Sequence, residues 1–168
     1  MSRKLSPVIA GAAIAALAAC FSQDPAPPRE LVDLHDTDVI GAWRNVATGE
    51  VLRFEADGQF TTANLPYQMY EHYFPEDLPR DFDPAQDKLP ASGEWLLGRA
   101  LGNPEGPRNT ITLRVHTLAG SANRTSFDLR AEVHNGVVFI AYYIGDPDLG
   151  NRILYEKCEG RCPMGDSQ

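Results

Sequence analysis

The chain predicts an all-β protein, an antiparallel meander of eight strands closing into an up-and-down barrel with one long Pro/Tyr-rich loop. Three observations carry this. Short runs rich in β-branched and aromatic residues alternate apolar and polar with period two. Turn residues separate the runs, Asn135-Gly136 most clearly. After Cys20 no stretch sustains a helical period; the best helical candidate, Tyr67 to Phe74, is confined between Pro66 and Pro75.

The strands fall at about 41–46, 50–56, 59–63, 92–98, 109–117, 125–133, 137–144 and 152–157. Gly41-Ala42-Trp43 and Gly93-Glu94-Trp95 open the first and fourth, and each Trp reads as core at a closed barrel end. Glu55 to Gln59 can turn in two or in three residues. Only the three-residue loop, with Gly58 left-handed, sets Phe54 opposite Phe60 on one face, which predicts a G1-bulge hairpin. Asn135-Gly136 predicts a type I′ turn pairing Val133 with Val138, Ala131 with Ile140, Leu129 with Tyr142 and Phe127 with Ile144. One face of that hairpin is wholly apolar; the other carries His134, Glu132, Arg130 and Asp128 and reads as exposed. Closure removes exposed edges. A barrel of this size is filled by its own side chains or holds one small ligand.

Composition excludes several classes. A length of 168 residues suits one domain, and 43% hydrophobic residues are too many for a wholly disordered chain. With 15 Lys+Arg against 23 Asp+Glu, the net charge of -8 argues against a nucleic-acid partner. Three Cys cannot build a dense disulfide scaffold.

The N-terminus reads as an address. Arg3 and Lys4 precede an apolar run from Val8 to Ala19, too short for a comfortable membrane span. Leu17-Ala18-Ala19-Cys20 resembles a bacterial lipobox, which implies removal of residues 1–19 and acylation of the Cys20 thiol. That places the protein on the extracytoplasmic side of a bacterial membrane, held by lipid. Residues 20–38 read as a disordered tether, with Pro25, Pro27, Pro28 and five acids against Arg29; residues 39–168 read as the barrel domain.

Several short motifs behind the lipobox carry a family resemblance: Gly41-Ala42-Trp43, Asp57-Gly58-Gln59-Phe60, Leu65-Pro66, Ser92-Gly93-Glu94-Trp95 and Gly145-Asp146-Pro147-Asp148. With them the chain resembles a group of small, largely uncharacterised bacterial lipoproteins, common in actinobacteria, with a lipocalin-like β-barrel. The resemblance implies fold and location and brings no activity, cofactor or catalytic residue. The terminal Cys pair departs from that pattern.

The segment 64–91 is the most unusual part. It holds five Pro and the aromatics Tyr67, Tyr70, Tyr73, Phe74 and Phe82, with six acids against Arg80 and Lys88. So long a loop is usually functional, and so many rings argue against plain disorder. It reads either as a binding loop offering stacking area and hydroxyls, or as a flap over apolar surface. Phe139, Ala141 and Tyr143, on the second face of their strand, supply surface that wants a cover. After removal of residues 1–19 the charge is -10, of which the tether and this loop contribute -4 each. Both would keep off an anionic membrane surface.

No motif supplies catalysis. His35, His72, His116 and His134 show no paired metal spacing, and no Gly-x-Ser-x-Gly elbow appears. Asp146-Pro147-Asp148-Leu149-Gly150 is half a calcium loop without the distal Glu, and reads as a turn. Cys158 and Cys162 bracket Gly160 closely enough for a structural disulfide. No metal and no cofactor is indicated. The expected function is a non-enzymatic envelope lipoprotein binding a small hydrophobic ligand or an envelope protein. Its alternative is a filled-barrel structural or inhibitory lipoprotein. An envelope hydrolase using Glu71, Glu76 or Asp77 has only carboxylate density behind it.

Overall fold

The computed structural model describes residues 30–71, 73–160 and 162. The signal region, Cys20, residues 20–29 of the expected tether and His72 lie outside them. A two-residue strand, β1 (Glu30–Leu31), and a helical turn, α1 (Asp36–Val39), precede the barrel. Barrel strands β2 (Gly41–Asn45), β3 (Val51–Phe54) and β4 (Gln59–Thr62) follow. The long loop carries an α-helical turn, α2 (Gln68–Glu71), and a 3-10 turn at Pro75–Asp77. Then come β5 (Ala91–Arg99), β6 (Arg108–Leu118), the short β7 (Ser121–Ala122), β8 (Ser126–His134), β9 (Val137–Tyr143) and β10 (Arg152–Lys157).

The eight long strands form a closed antiparallel barrel, as their alternation requires. Each pairs with its successor, β6 pairs with β8, and β10 returns to β2 through Tyr155↔Asn45 and Lys157↔Trp43. Trp43, Leu52, Phe54, Phe60, Ile111, Leu113, Leu129 and Ile140 are buried and fill the interior.

Both hairpins adopt the expected register. Phe54 pairs with Phe60, and Gly58 takes φ +83° in a loop closed by the Gly58 N–H on the Glu55 carbonyl at 3.1 Å. Asn135 and Gly136 both have positive φ, at 53° and 79°, as a type I′ turn requires. Val133↔Val138 and Ala131↔Ile140 follow, but the ladder ends at Arg130↔Ala141, so the expected pairs of Leu129 with Tyr142 and Phe127 with Ile144 do not form. Beyond that point β8 pairs with β6 on its other side, from Arg130↔Thr110 to Ser126↔Arg114.

Gly93 answers a packing demand. A Cβ there would lie 1.9 Å from the Arg114 carbonyl oxygen, at an irregularity in the β5–β6 ladder between Ser92 and Gly93. Both tryptophans are buried at the same end of the barrel. Trp43 Nε1 donates to the Val39 carbonyl at 2.7 Å and Trp95 Nε1 to the Glu55 carbonyl at 3.0 Å.

The tether expectation fails for residues 30–38. Glu30 pairs with Val133 and Leu31 with Glu132, so β1 occupies the side of β8 that β6 leaves open. Leu34 and Val39 are buried, and the Leu34 N–H donates to the Arg108 carbonyl at 2.9 Å. Asp33 and Asp36 bind Arg108 through its N–H at 2.7 Å and its guanidinium at 2.8 Å. Four acids dominate the composition of this stretch, whereas the few apolar residues among them do the packing.

The strand directions sort the connections. The chain enters at one end of the barrel, beside α1, the β3–β4 and β5–β6 turns, Asn135-Gly136 and the Cys pair. Cys158 and Cys162 are paired there at disulfide distance, their Cα atoms 5.7 Å apart. The opposite end, the mouth, carries residues 46–50, the long loop, residues 119–125 and residues 144–151. In the last of these Asp146 caps the Asp148 N–H at 2.9 Å and Gly150 takes φ +73°, which makes it the expected turn.

Candidate functional site

The long loop lies across the mouth, and part of it plugs the barrel. Leu65, Met69 and Tyr70 are fully buried, with Leu89 from the loop's far end. Tyr70 and Phe74 meet Phe127 edge-on at 4.9 and 5.9 Å, and Phe127 meets Tyr142 in the same way at 5.8 Å. Burial drives the Tyr70 hydroxyl pKa up to about 12, against the opposing hydrogen bond from Thr125. Tyr70 and Phe74 are therefore core residues rather than ligand contacts, and Tyr73 is exposed. The cover that the loop supplies is over the barrel interior; on the outer face of β9, Ala141 is buried and Phe139 and Tyr143 are half-buried.

Loop residues before and after Met69–Phe74 also build a groove of about 420 Å³ at the mouth. Tyr67 and Phe82 line one wall, their ring centroids 6.3 Å apart and tilted by 48°. The opposing wall comes from the β2–β3 turn and the start of β10, through Val46, Glu50, Ile153 and Leu154. Hydrogen bonds fix this geometry. Asn64 Nδ2 donates to Glu50 Oε1 at 2.7 Å, while Asn64 Oδ1 accepts the Leu89 N–H at 2.8 Å. The Leu65 N–H donates to the Leu89 carbonyl at 2.7 Å, so the two ends of the loop are clasped on the barrel rim. The Thr48 hydroxyl also donates to Glu50, and Asn45 Oδ1 accepts the N–H groups of Ala47 and Thr48 at 2.9 and 3.2 Å. Asp87 at the groove rim accepts the Asp83 N–H at 2.8 Å. Buried Tyr155 lies below; burial, and then the charge of Glu50, drives its pKa upward.

Of the five loop aromatics singled out in the sequence, the groove takes Tyr67 and Phe82. It adds Glu50, Asn64, Asp87 and Ile153, which no local pattern marks. The β2–β3 turn and β10 meet only because the meander closes.

Beside the groove lies a charged cluster. The Glu132 carboxylate is buried, its side chain 4% exposed, and its Oε2 accepts from Arg152 Nη1 and meets His134 Nε2, both at 2.9 Å. Its Oε1 has no hydrogen-bond partner among the described residues. The expectation of an exposed polar face at Glu132 and His134 is thus overturned. The outer face here lies beside β1 and beneath the Arg152 side chain, which period-two alternation does not reveal. His35 and His116 are exposed. Among the described residues, no group of three His, Cys, Asp or Glu side chains is placed to hold a metal ion. Glu71, Glu76 and Asp77 are exposed and do not line the groove.

Comparison with protein-family models, curated proteins and solved structures finds no match.

Proposed function

We propose that the protein is a lipid-anchored binding module of the bacterial cell envelope, tethered through acylated Cys20, whose mouth groove takes a small ligand or a segment of an envelope partner. The single observation behind this is the groove walled by Tyr67 and Phe82. Its volume falls within the range of small-molecule sites, and its lining mixes apolar walls with a few fixed polar groups, as such sites do. Because the interior is packed, the ligand is placed at the mouth rather than inside the barrel. The same packing favours a second reading, a structural or inhibitory lipoprotein that presents a rigid surface.

The test is capture. Full-length chain displayed on bacterial membranes is exposed to envelope extracts, alongside the Tyr67→Ala/Phe82→Ala variant. The binding reading expects compounds retained by the wild type and lost by the variant. Equal capture by both, or none by either, favours the structural reading. Incorporation of a labelled fatty acid, lost in Cys20→Ala together with membrane retention, checks the anchor separately.

A further inference from the structure

We infer that the mouth groove selects an organic cation with an apolar body, of the alkyl- or arylammonium class. This rests on the groove being a ligand site and adds what that ligand must be.

Glu50 is half-buried in one wall and Asp87 stands at the rim. Among the described residues neither forms a salt bridge with a cationic side chain. Arg152 also lines the groove, but its guanidinium is bound to buried Glu132 at 2.9 Å. The groove therefore holds two carboxylates and one cation that is already neutralised. The hydrogen bonds from Thr48 and Asn64 orient the Glu50 carboxylate without cancelling its charge. A cleft with low-dielectric walls concentrates the field of such charges on whatever enters.

The walls decide between ligands that a negative groove admits. The Tyr67 and Phe82 rings offer π-faces, which attract a cation most strongly when it is poorly hydrated, as a substituted ammonium is. Val46, Ile153 and Leu154 offer apolar area for the rest of the molecule. A neutral polyol would hydrogen-bond the same carboxylates and Gln68 but would gain nothing from their charge, and its hydroxyls have no use for the apolar wall. An anion would meet two carboxylates and a spent arginine.

The experiment titrates the full-length chain in detergent with benzyltrimethylammonium and, separately, with neopentylbenzene, its neutral carbon isostere, followed by NMR. The cation is expected to shift signals of the Tyr67, Phe82 and Ile153 side chains and to bind about tenfold more tightly than the isostere. Glu50→Gln is expected to remove most of that preference, and Asp87→Asn, at an exposed position, a smaller part of it. The second variant leaves the Thr48 and Asn64 contacts to Glu50 in place, so loss of preference there is not a folding effect. Equal binding of both probes in the groove overturns the inference while leaving the groove as a ligand site. Failure of the cation to bind the groove also overturns it, and the capture experiment with Tyr67→Ala/Phe82→Ala then decides the wider reading on its own.

Discussion

The hydroxyl groups of Tyr70 and Thr125 lie 3.0 Å apart beneath the long loop. Tyr70 belongs to the loop and Thr125 to the turn leading into β8, so this contact fastens the plug across the mouth. Thr125 also donates to Asn123, which leaves its oxygen to accept from Tyr70. Tyr70→Phe is expected to cost about 1 kcal/mol, the net worth of one hydrogen bond. Tyr70→Ala also empties the space against Phe127 and is expected to cost about 3–5 kcal/mol. Urea denaturation of the two variants checks the difference; equal losses would show that the ring fills no space that matters.

The buried tyrosines predict alkaline sensitivity. Burial raises the pKa of Tyr70 to about 12 and that of Tyr155 further, above the value near 10 of the unfolded chain. The folded state thus holds these protons more tightly than the unfolded one. The stability this gives is complete below about pH 10 and is lost as the pH climbs through the folded values. Circular dichroism, followed upward from neutral pH, is expected to change together with the last part of the rise in phenolate absorbance. Tyr155→Phe removes one of the groups that must ionise and is expected to move the alkaline midpoint upward; an unmoved midpoint contradicts the assignment.

Gly93 and Gly98 lie on the same strand and predict opposite outcomes. Gly93→Ala drives a Cβ into the Arg114 carbonyl oxygen, a backbone atom that cannot swing away. Its expected cost is about 1–3 kcal/mol or more. At Gly98 nothing lies within 4 Å of the Cβ position, and the backbone suits any residue. Gly98→Ala is expected to be neutral or to stabilise by up to about 1 kcal/mol through the unfolded chain. Thermal melts of the pair read the contrast directly.

Arg152 holds the Glu132 carboxylate in its buried position. Arg152→Met leaves that charge with His134 alone. The expected loss is on the order of 2–3 kcal/mol, less than for a fully buried pair because the arginine side chain is itself 24% exposed. The Arg152→Met/Glu132→Met double variant is expected to recover much of it, since no orphaned charge remains. A double variant no more stable than Arg152→Met would rule out the pairing as the cause.

Local chemistry made the strands legible. Asn135-Gly136 and Gly58 each admit few turn geometries, and a turn type fixes register outward from itself. The Val133↔Val138 and Phe54↔Phe60 pairs were readable for that reason. The groove was half legible. Tyr67 and Phe82 stand out within an aromatic loop, but Glu50 and Ile153 sit in ordinary strand-end sequence and acquire a role only when β10 returns to β2. Tyr70 could not be told from Tyr67 either, because the choice between plug and wall is made by Phe127, far along the chain. Leu34 and Val39 were hidden in a different way: composition averages over a window, and packing acts on single side chains.

The pairing of β1 with β8 also sets a leash. On the lipid-anchored reading, only residues 21–29 separate Cys20 from a segment that is part of the barrel wall. Nine Pro-rich residues reach about 30 Å when extended, comparable to the length of the barrel's longer strands. The leash leaves the body beside Val133, at the end opposite the groove. On that reading the attachment point and the groove lie at opposite ends of the barrel, and whatever enters the groove does so at the end away from the anchor.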